Sequence, residues 1–254
     1  MIANEKDKEG LRVAGERLGT ILQTLAQAVK PGVSVRSLDE MAEKMIRDYG
    51  DVPAFLNYKP QGAMRPFPST LCIAVNDTVV HGMPTEQDTI LKEGDIIGLD
   101  TGLFHGKYIV DSGITVPVGN VSKKALDLMR VTKEALYIGI QAAQVGNTVG
   151  DIGAEIETYV KPHGYGIVRE LCGHGVGEEV HEEPSIPNYG KAGTGPVLKE
   201  GMVVAIEPML NEGSSDVVFD DDGYTVWTRD GSLSCHFEHT LLITKDGPEI
   251  FTEV

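Results

Sequence analysis

The sequence predicts an α+β fold made of two related halves, and three observations support this. Two helix-like stretches, separated by a glycine-containing stop, are followed by strand-like runs, and the whole order then repeats. A shift of 114 residues brings Gly32 onto Gly146, Ser34 onto Thr148, Val35 onto Val149, Ser37 onto Asp151, Leu38 onto Ile152, Ile46 onto Val160 and Gly50 onto Gly164. The matches are few and conservative, but they share one offset and one order of elements, which favours duplication over coincidence. No Pro/Gly/Ser-rich linker divides the chain, so a single domain over residues 1–254 is expected, with pseudo-repeats at about 11–120 and 121–250.

In the first half, Leu11, Ala14, Leu18, Ile21, Leu22, Leu25 and Val29 recur at helical spacing, and Pro31-Gly32 stops that helix. A second helix is expected from near Ser37, where Glu40 three residues on completes a capping-box pattern. Leu38, Met41, Ala42, Met45 and Ile46 form its apolar side, and Gly50 marks its end. Strands are expected at Leu71 to Val75, Ile96 to Leu103 and Tyr108 to Val118. In the second half, Val121 to Val145 carries Leu126, Met129, Ala135, Leu136 and Ile140 at helical spacing and stops at Gly146. A short helix with Ile152, Ile156 and Val160 then runs to near Gly164. Strands follow at Val203 to Leu210, Val217 to Phe219 and Phe237 to Thr244. Two related halves with helices on one face enclose a site between their sheets, where side chains from both can meet.

Composition narrows the function. With 254 residues, 41% of them hydrophobic, the chain can bury a large core. Acids outnumber bases 38 to 22, for a net charge of −16, which repels a phosphate backbone and argues against nucleic acid as the main ligand. The excess acid serves solubility, and a few of those carboxylates suffice to bind cations. Three cysteines, Cys72, Cys172 and Cys235, suggest neither a disulfide framework nor a zinc finger. The first residues carry no apolar signal core, and no run reaches the roughly 18 apolar residues of a membrane span. A soluble protein of a reducing cytoplasm is expected.

Five residues carry the chemical argument. Asp100 and Asp111 each lie inside an apolar strand. Either alone is more readily a solvent-facing or turn-bonding acid. Together, eleven residues apart on strands joined by a turn at His105-Gly106, they can lie side by side. Close carboxylates repel, and burying them is costly without a cation. His174 stands in Cys172-Gly-His-Gly-Val-Gly177, whose glycines permit close backbone approach but do not match the dinucleotide fingerprint. His181 begins His181-Glu-Glu-Pro184, which is not the HExxH zinc helix, since Ser185 replaces the second histidine. Glu207 lies among apolar residues in Met202-Val-Val-Ala-Ile-Glu-Pro-Met-Leu210, with no Arg or Lys nearby in sequence to pair it. Glu238 heads another apolar strand. Two Asp, two Glu and one His suit a pair of divalent ions such as Mn, Fe, Co or Zn. Two ions about 3.5–4 Å apart can share a water and lower its pKa from ~15.7 toward ~7. No G-x-S-x-G elbow competes.

Several segments, in order, resemble type I methionine aminopeptidases of peptidase family M24, which have the pita-bread (creatinase/aminopeptidase) fold. They are Leu11-Arg-Val-Ala-Gly15, Val29-Lys-Pro-Gly-Val-Ser34, Val75-Asn-Asp-Thr-Val-Val-His81-Gly-Met-Pro84, Cys172-Gly-His-Gly-Val-Gly177, His181-Glu-Glu-Pro184, Ile206-Glu-Pro-Met209 and Phe237-Glu-His-Thr240. The resemblance implies Asp100, Asp111, His174, Glu207 and Glu238 as ligands of two divalent ions, with Asp111 and Glu238 bridging and Glu207 relaying a proton. It implies substrate contacts by His81 and His181, with His181 steadying the carbonyl. By position, Phe55, Tyr58, Phe67, Cys72, Val180 and Tyr224 form the methionine pocket. The family usually has Phe at Val180, Trp at Tyr224 and Gln at His236; Trp227 points elsewhere if the strand register holds. The stretch from Lys59 to Pro66 is longer than in most members. The implied activity is removal of the first methionine from nascent polypeptides when the second residue is small. The implied setting is a cytoplasmic monomer, with at most a transient ribosome contact and no membrane partner. The alternatives are an X-Pro aminopeptidase or prolidase, a type II enzyme, and a non-catalytic peptide-binding module of the same fold. The first two usually carry an extra N-terminal domain or a helical insertion, and modules of the last kind typically lose ligands.

Overall fold

A computed structural model of the chain describes residues 2–60 and 62–254. Helix α1 (Glu5–Ala28) starts at a reciprocal cap: Asn4 Oδ1 accepts from the Lys6 and Asp7 amides, and Asp7 Oδ2 accepts from the Asn4 amide. Helix α2 (Val35–Asp48) is capped by Ser34, not by Ser37 as the spacing predicts. Ser34 has extended backbone and bridges to Ile90, so the turn into the helix falls there, and the Ser37 hydroxyl donates instead to the Ser34 carbonyl. Strands β1 (Val52–Pro53), β2 (Cys72–Val75), β3 (Thr78–Val80), β4 (Ile96–His105) and β5 (Tyr108–Pro117) complete the first half.

The second half opens with α3 (Lys123–Ala142), capped by Ser122, and α4 (Val149–Val160), where Asp151 accepts from the Thr148 amide and hydroxyl. Strands β6 (Gly166–Ile167), β7 (Gly173–Gly175), β8 (Glu182–Ile186), β9 (Val203–Ile206), β10 (Met209–Asn211), β11 (Val217–Phe219), β12 (Val226–Thr228), β13 (Ser234–His236), β14 (Glu238–Thr244) and β15 (Gly247–Ile250) follow. The expected strand from Val203 to Leu210 is therefore two strands. Pro208 cannot donate to a ladder, and pairing passes from the main sheet to a smaller one at that point.

The duplication is visible in the backbone. Gly32 and Gly146 have φ of +90° and +91°, and Gly50 and Gly164 have +76° and +77°. The Gly32 amide donates to Leu91 O and the Gly146 amide to Leu198 O. Among the described residues, the largest sheet has nine strands, in the order β1-β4-β5-β14-β9-β7-β8, with β2 on β4 and β15 on β14. The two halves join where β5 pairs with β14. One apolar core lies between this sheet and α1 and α2, and a second between it and α3 and α4. Together they hold one face of the sheet against helices.

Candidate active site

Partners across neighbouring strands project from the same face, and same-face positions recur every second residue. The register therefore sorts the candidates without further assumption. One row across β2, β4, β5 and β14 reads Cys72, Asp100, Gly113, Glu238. Two residues along, Gly102 faces Asp111, whose amide and carbonyl both bond the Thr240 hydroxyl. Thr240 faces Ala205, and Ala205 faces His174. Glu207 stands two residues beyond Ala205, just past the end of β9. All five predicted ligands thus gather on one face at the junction of the halves. Ligand atoms of Asp111, His174 and Glu238 lie within 4.8 Å of one another, and His174 Nε2 is 3.5 Å from Glu207 Oε1.

The glycines around His174 have a steric reason. A Cβ on Gly173 would stand 2.4 Å from Ala205 O, and one on Gly175 2.3 Å from Glu183 O. Only glycine lets β8 and β9 approach on either side of β7. The His174 Nδ1–H donates to Gly175 O at 2.9 Å, which leaves the Nε2 lone pair facing Glu207.

Electrostatically the cluster is uncompensated. Burial, then the neighbouring charges of Asp111 and Glu207, pushes Asp100 well above the usual carboxylate range. Burial raises Asp111 to about 7. It also raises Glu207, with Asp111 adding to the effect, and Glu238, with Asp111, Glu207 and Asp100 adding to it. Asp100 Oδ1, Asp111 Oδ1 and Glu238 Oε1 are buried without a hydrogen-bond partner. Among the described residues, no Lys or Arg forms an ion pair with any of the four acids. Orphaned oxygens facing one another beside an imidazole fit divalent cations, and little else satisfies them.

A cavity of about 240 Å³ opens on this cluster. Its walls include the expected Phe55, Tyr58, Phe67, Cys72, Tyr224, His81 and His181, beside all five acidic and imidazole groups. Phe67 lies edge-on to Phe55 and to Tyr224, with ring centres 6.5 and 5.1 Å apart. His81 has φ +62°, a left-handed conformation uncommon outside glycine. The following Gly82 is forced, because a Cβ there would stand 2.1 Å from Ile73 O. Burial lowers His81 to about 4 and also lowers His181, so both rings are neutral at pH 7. The Tyr58 hydroxyl bonds His181 Nδ1 at 3.0 Å.

Val180 is corrected: it packs into the first core rather than lining the cavity. The preceding turn carries exposed Glu178 and Glu179 and folds Val180 inward. Trp227 points away and donates to Asp220, as the register requires. Leu171 and Phe219 also line the cavity, and sequence reasoning missed them; each lies in or beside a short strand with no periodicity of its own. His236 sits within 4 Å of Glu207 and Glu238 and was not a predicted site residue. Its sequence signal is its departure from the glutamine that the resemblance leads one to expect two residues before Glu238.

The family model for metallopeptidase family M24 matches residues 9–245. The methionine aminopeptidases of Clostridium acetobutylicum and Aquifex aeolicus are 42% and 44% identical to the chain, each over 99% of it and 98% of the relative. The crystal structure of methionine aminopeptidase from Rickettsia prowazekii superposes with a TM-score of 0.94 at 41% identity, covering 99% of both chains. The prolidase from Pyrococcus furiosus superposes less closely, with a TM-score of 0.77 at 25% identity, and this chain covers 65% of it. The pita-bread fold is common to both, and on sequence and structure alike the chain belongs to metallopeptidase family M24.

Proposed function

We propose that the chain is a metal-dependent aminopeptidase that removes an N-terminal methionine from peptides and nascent proteins whose second residue is small. The observation that carries this is the convergence of four carboxylates, three of them with a buried oxygen that has no hydrogen-bond partner, and one imidazole at the floor of an apolar cavity. Asp100, Asp111, His174, Glu207 and Glu238 would hold two ions, drawn from Fe, Mn, Co or Zn. Bound, such ions polarise a carbonyl and lower the pKa of water from ~15.7 toward ~7.

The chain's own groups supply the rest. Glu207, whose pKa is raised by burial and then by the charge of Asp111, is suited to take up and pass on a proton at a carboxylate oxygen. His181, oriented by Tyr58, and His81, held in its left-handed turn, present neutral rings to the substrate carbonyl and stabilise charge as it develops there. Phe55, Phe67 and Tyr224 enclose an unbranched thioether and favour sulfur–aromatic contact. The acidic wall attracts the free α-amine of a chain terminus and disfavours an internal peptide bond. Three free cysteines agree with a reducing cytoplasm, and no helix among the described residues is long and apolar enough to cross a membrane. A monomer acting on chains at or near the ribosome completes the reading.

Hydrolysis of Met-Ala-Ser and of Ala-Pro peptides, each with and without chelator, tests it. Rapid, chelator-sensitive cleavage of Met-Ala-Ser is expected. Cleavage of the proline substrate alone would replace the assignment with an X-Pro enzyme.

A further inference from the structure

We propose that His236 is an additional metal ligand of this centre, its Nε2 binding an ion held between Glu207 and Glu238; this rests on the metal-dependent reading above. His236 is 4% exposed, and its Nε2 is buried with no hydrogen-bond partner. That atom lies 3.8 Å from Glu207 Oε2 and 3.9 Å from Glu238 Oε2. Both distances are too long for a hydrogen bond. Both are short enough for shared coordination, since donors bound at about 2.1 Å to one ion lie at most ~4.2 Å apart. A histidine retained for packing would satisfy this nitrogen with a carbonyl or hydroxyl. Here it is aimed at two carboxylates that, among the described residues, no Lys or Arg pairs with.

The position is also built. The His236 amide donates to Thr115 Oγ1 at 3.1 Å, and that hydroxyl donates back to His236 O at 2.7 Å. On the other side β13 pairs His236 with Met209, two residues past Glu207. The ring lies over Gly113, where a Cβ would stand 2.9 Å from its Cε1. Strand pairing and an absent side chain together fix the ring between the two acids. His236 places a second imidazole beside His174, which shifts the donor set toward Zn, Co and Fe and away from Mn.

The test is X-ray absorption of the full chain, stripped of metal and reloaded with two equivalents of Zn or Co. It is paired with calorimetric titration of the same metal into wild type and His236→Gln. The wild-type spectrum is expected to show two imidazoles shared over two ions, and His236→Gln one. The weaker-binding ion is expected to lose at least tenfold in affinity in the variant. His174→Ala serves as the reference for loss of one imidazole. A wild-type centre with a single imidazole, or unchanged spectrum and affinity in His236→Gln, overturns the inference while leaving the aminopeptidase reading intact. A wild-type chain that takes up no ion overturns both.

Discussion

Gly113→Ala tests whether the row of residues across the sheet controls the site. Gly113 lies between Asp100 and Glu238 on the face that carries the ligands. Its φ is not in the positive region, so alanine suffers no backbone strain and only space is at issue. The added Cβ would lie 2.9 Å from His236 Cε1, 3.1 Å from His236 Nδ1 and 3.4 Å from Asp100 Cβ. Ordinary contact begins near 3.4 Å, so the imidazole must retreat by about half an ångström. Thr115 clamps the His236 backbone, so the ring tilts rather than shifting as a unit. Overpacking of this kind costs about 1–3 kcal/mol. At ~2–4 °C per kcal/mol for a chain of this size, Tm falls by roughly 2–12 °C. The ring that faces Glu207 and Glu238 is displaced, and misplacement by a fraction of an ångström at a reacting centre lowers kcat by roughly tenfold. Thermal unfolding followed by circular dichroism, and Met-Ala-Ser turnover, measure the two effects. A variant with wild-type Tm and wild-type kcat would show that the face has slack and that the row does not control the site.

Glu207→Ala is expected to abolish peptide cleavage, because it removes one of the five metal-holding groups, while preserving the fold, because the Asn188 side chain donates to the Glu207 backbone carbonyl, which alanine keeps, and the lost charge was repelled by Asp111. Cleavage persisting in that variant, free of contaminating enzyme, would remove Glu207 from the mechanism. In metal-free protein, Asp111 holds its proton to about pH 7 against 3.8 when unfolded, so its stabilising contribution is complete below about pH 4 and is lost as pH rises through 7. Tm of chelated protein should therefore fall between pH 5 and 8, and the stabilisation gained on adding metal should grow over the same interval; a chelated Tm that climbs with pH contradicts this. His181→Ala should lower kcat about 10²–10³-fold, the scale of losing one preorganised donor, and a change under twofold would exclude contact with the developing charge.

The long amphipathic helices were readable because a 24-residue and a 20-residue helix each repeat their apolar face many times. The ends were less secure. Ser34 and Ser37 both suit a cap, and only the bridge from Ser34 to Ile90 decides between them. Strands β4 and β5 were legible from continuous apolar runs, whereas β7 consists of Gly-His-Gly and has no strand propensity at all. It is a strand because neighbouring backbones close on it, which is tertiary information. Each of the five ligand candidates was visible as an acid or histidine in surroundings that do not suit it. What sequence could not reveal was the register that aligns Asp100, Gly113 and Glu238, the turn that folds Val180 into the core, or the pairing that directs His236 toward the acids. His236 stands out in the sequence only as a departure from an expected glutamine, and the unpartnered nitrogen that gives it a role is visible only in the structure.

These five side chains act by holding divalent ions where a peptide carbonyl can reach them, on the reading proposed above. Metal content by mass spectrometry and Met-Ala-Ser hydrolysis, measured on one preparation as it is stripped and reloaded, tests this most directly. Turnover should vanish with the last ion and return in proportion to added Mn, Co or Fe. Full turnover by protein shown to contain no metal would contradict it.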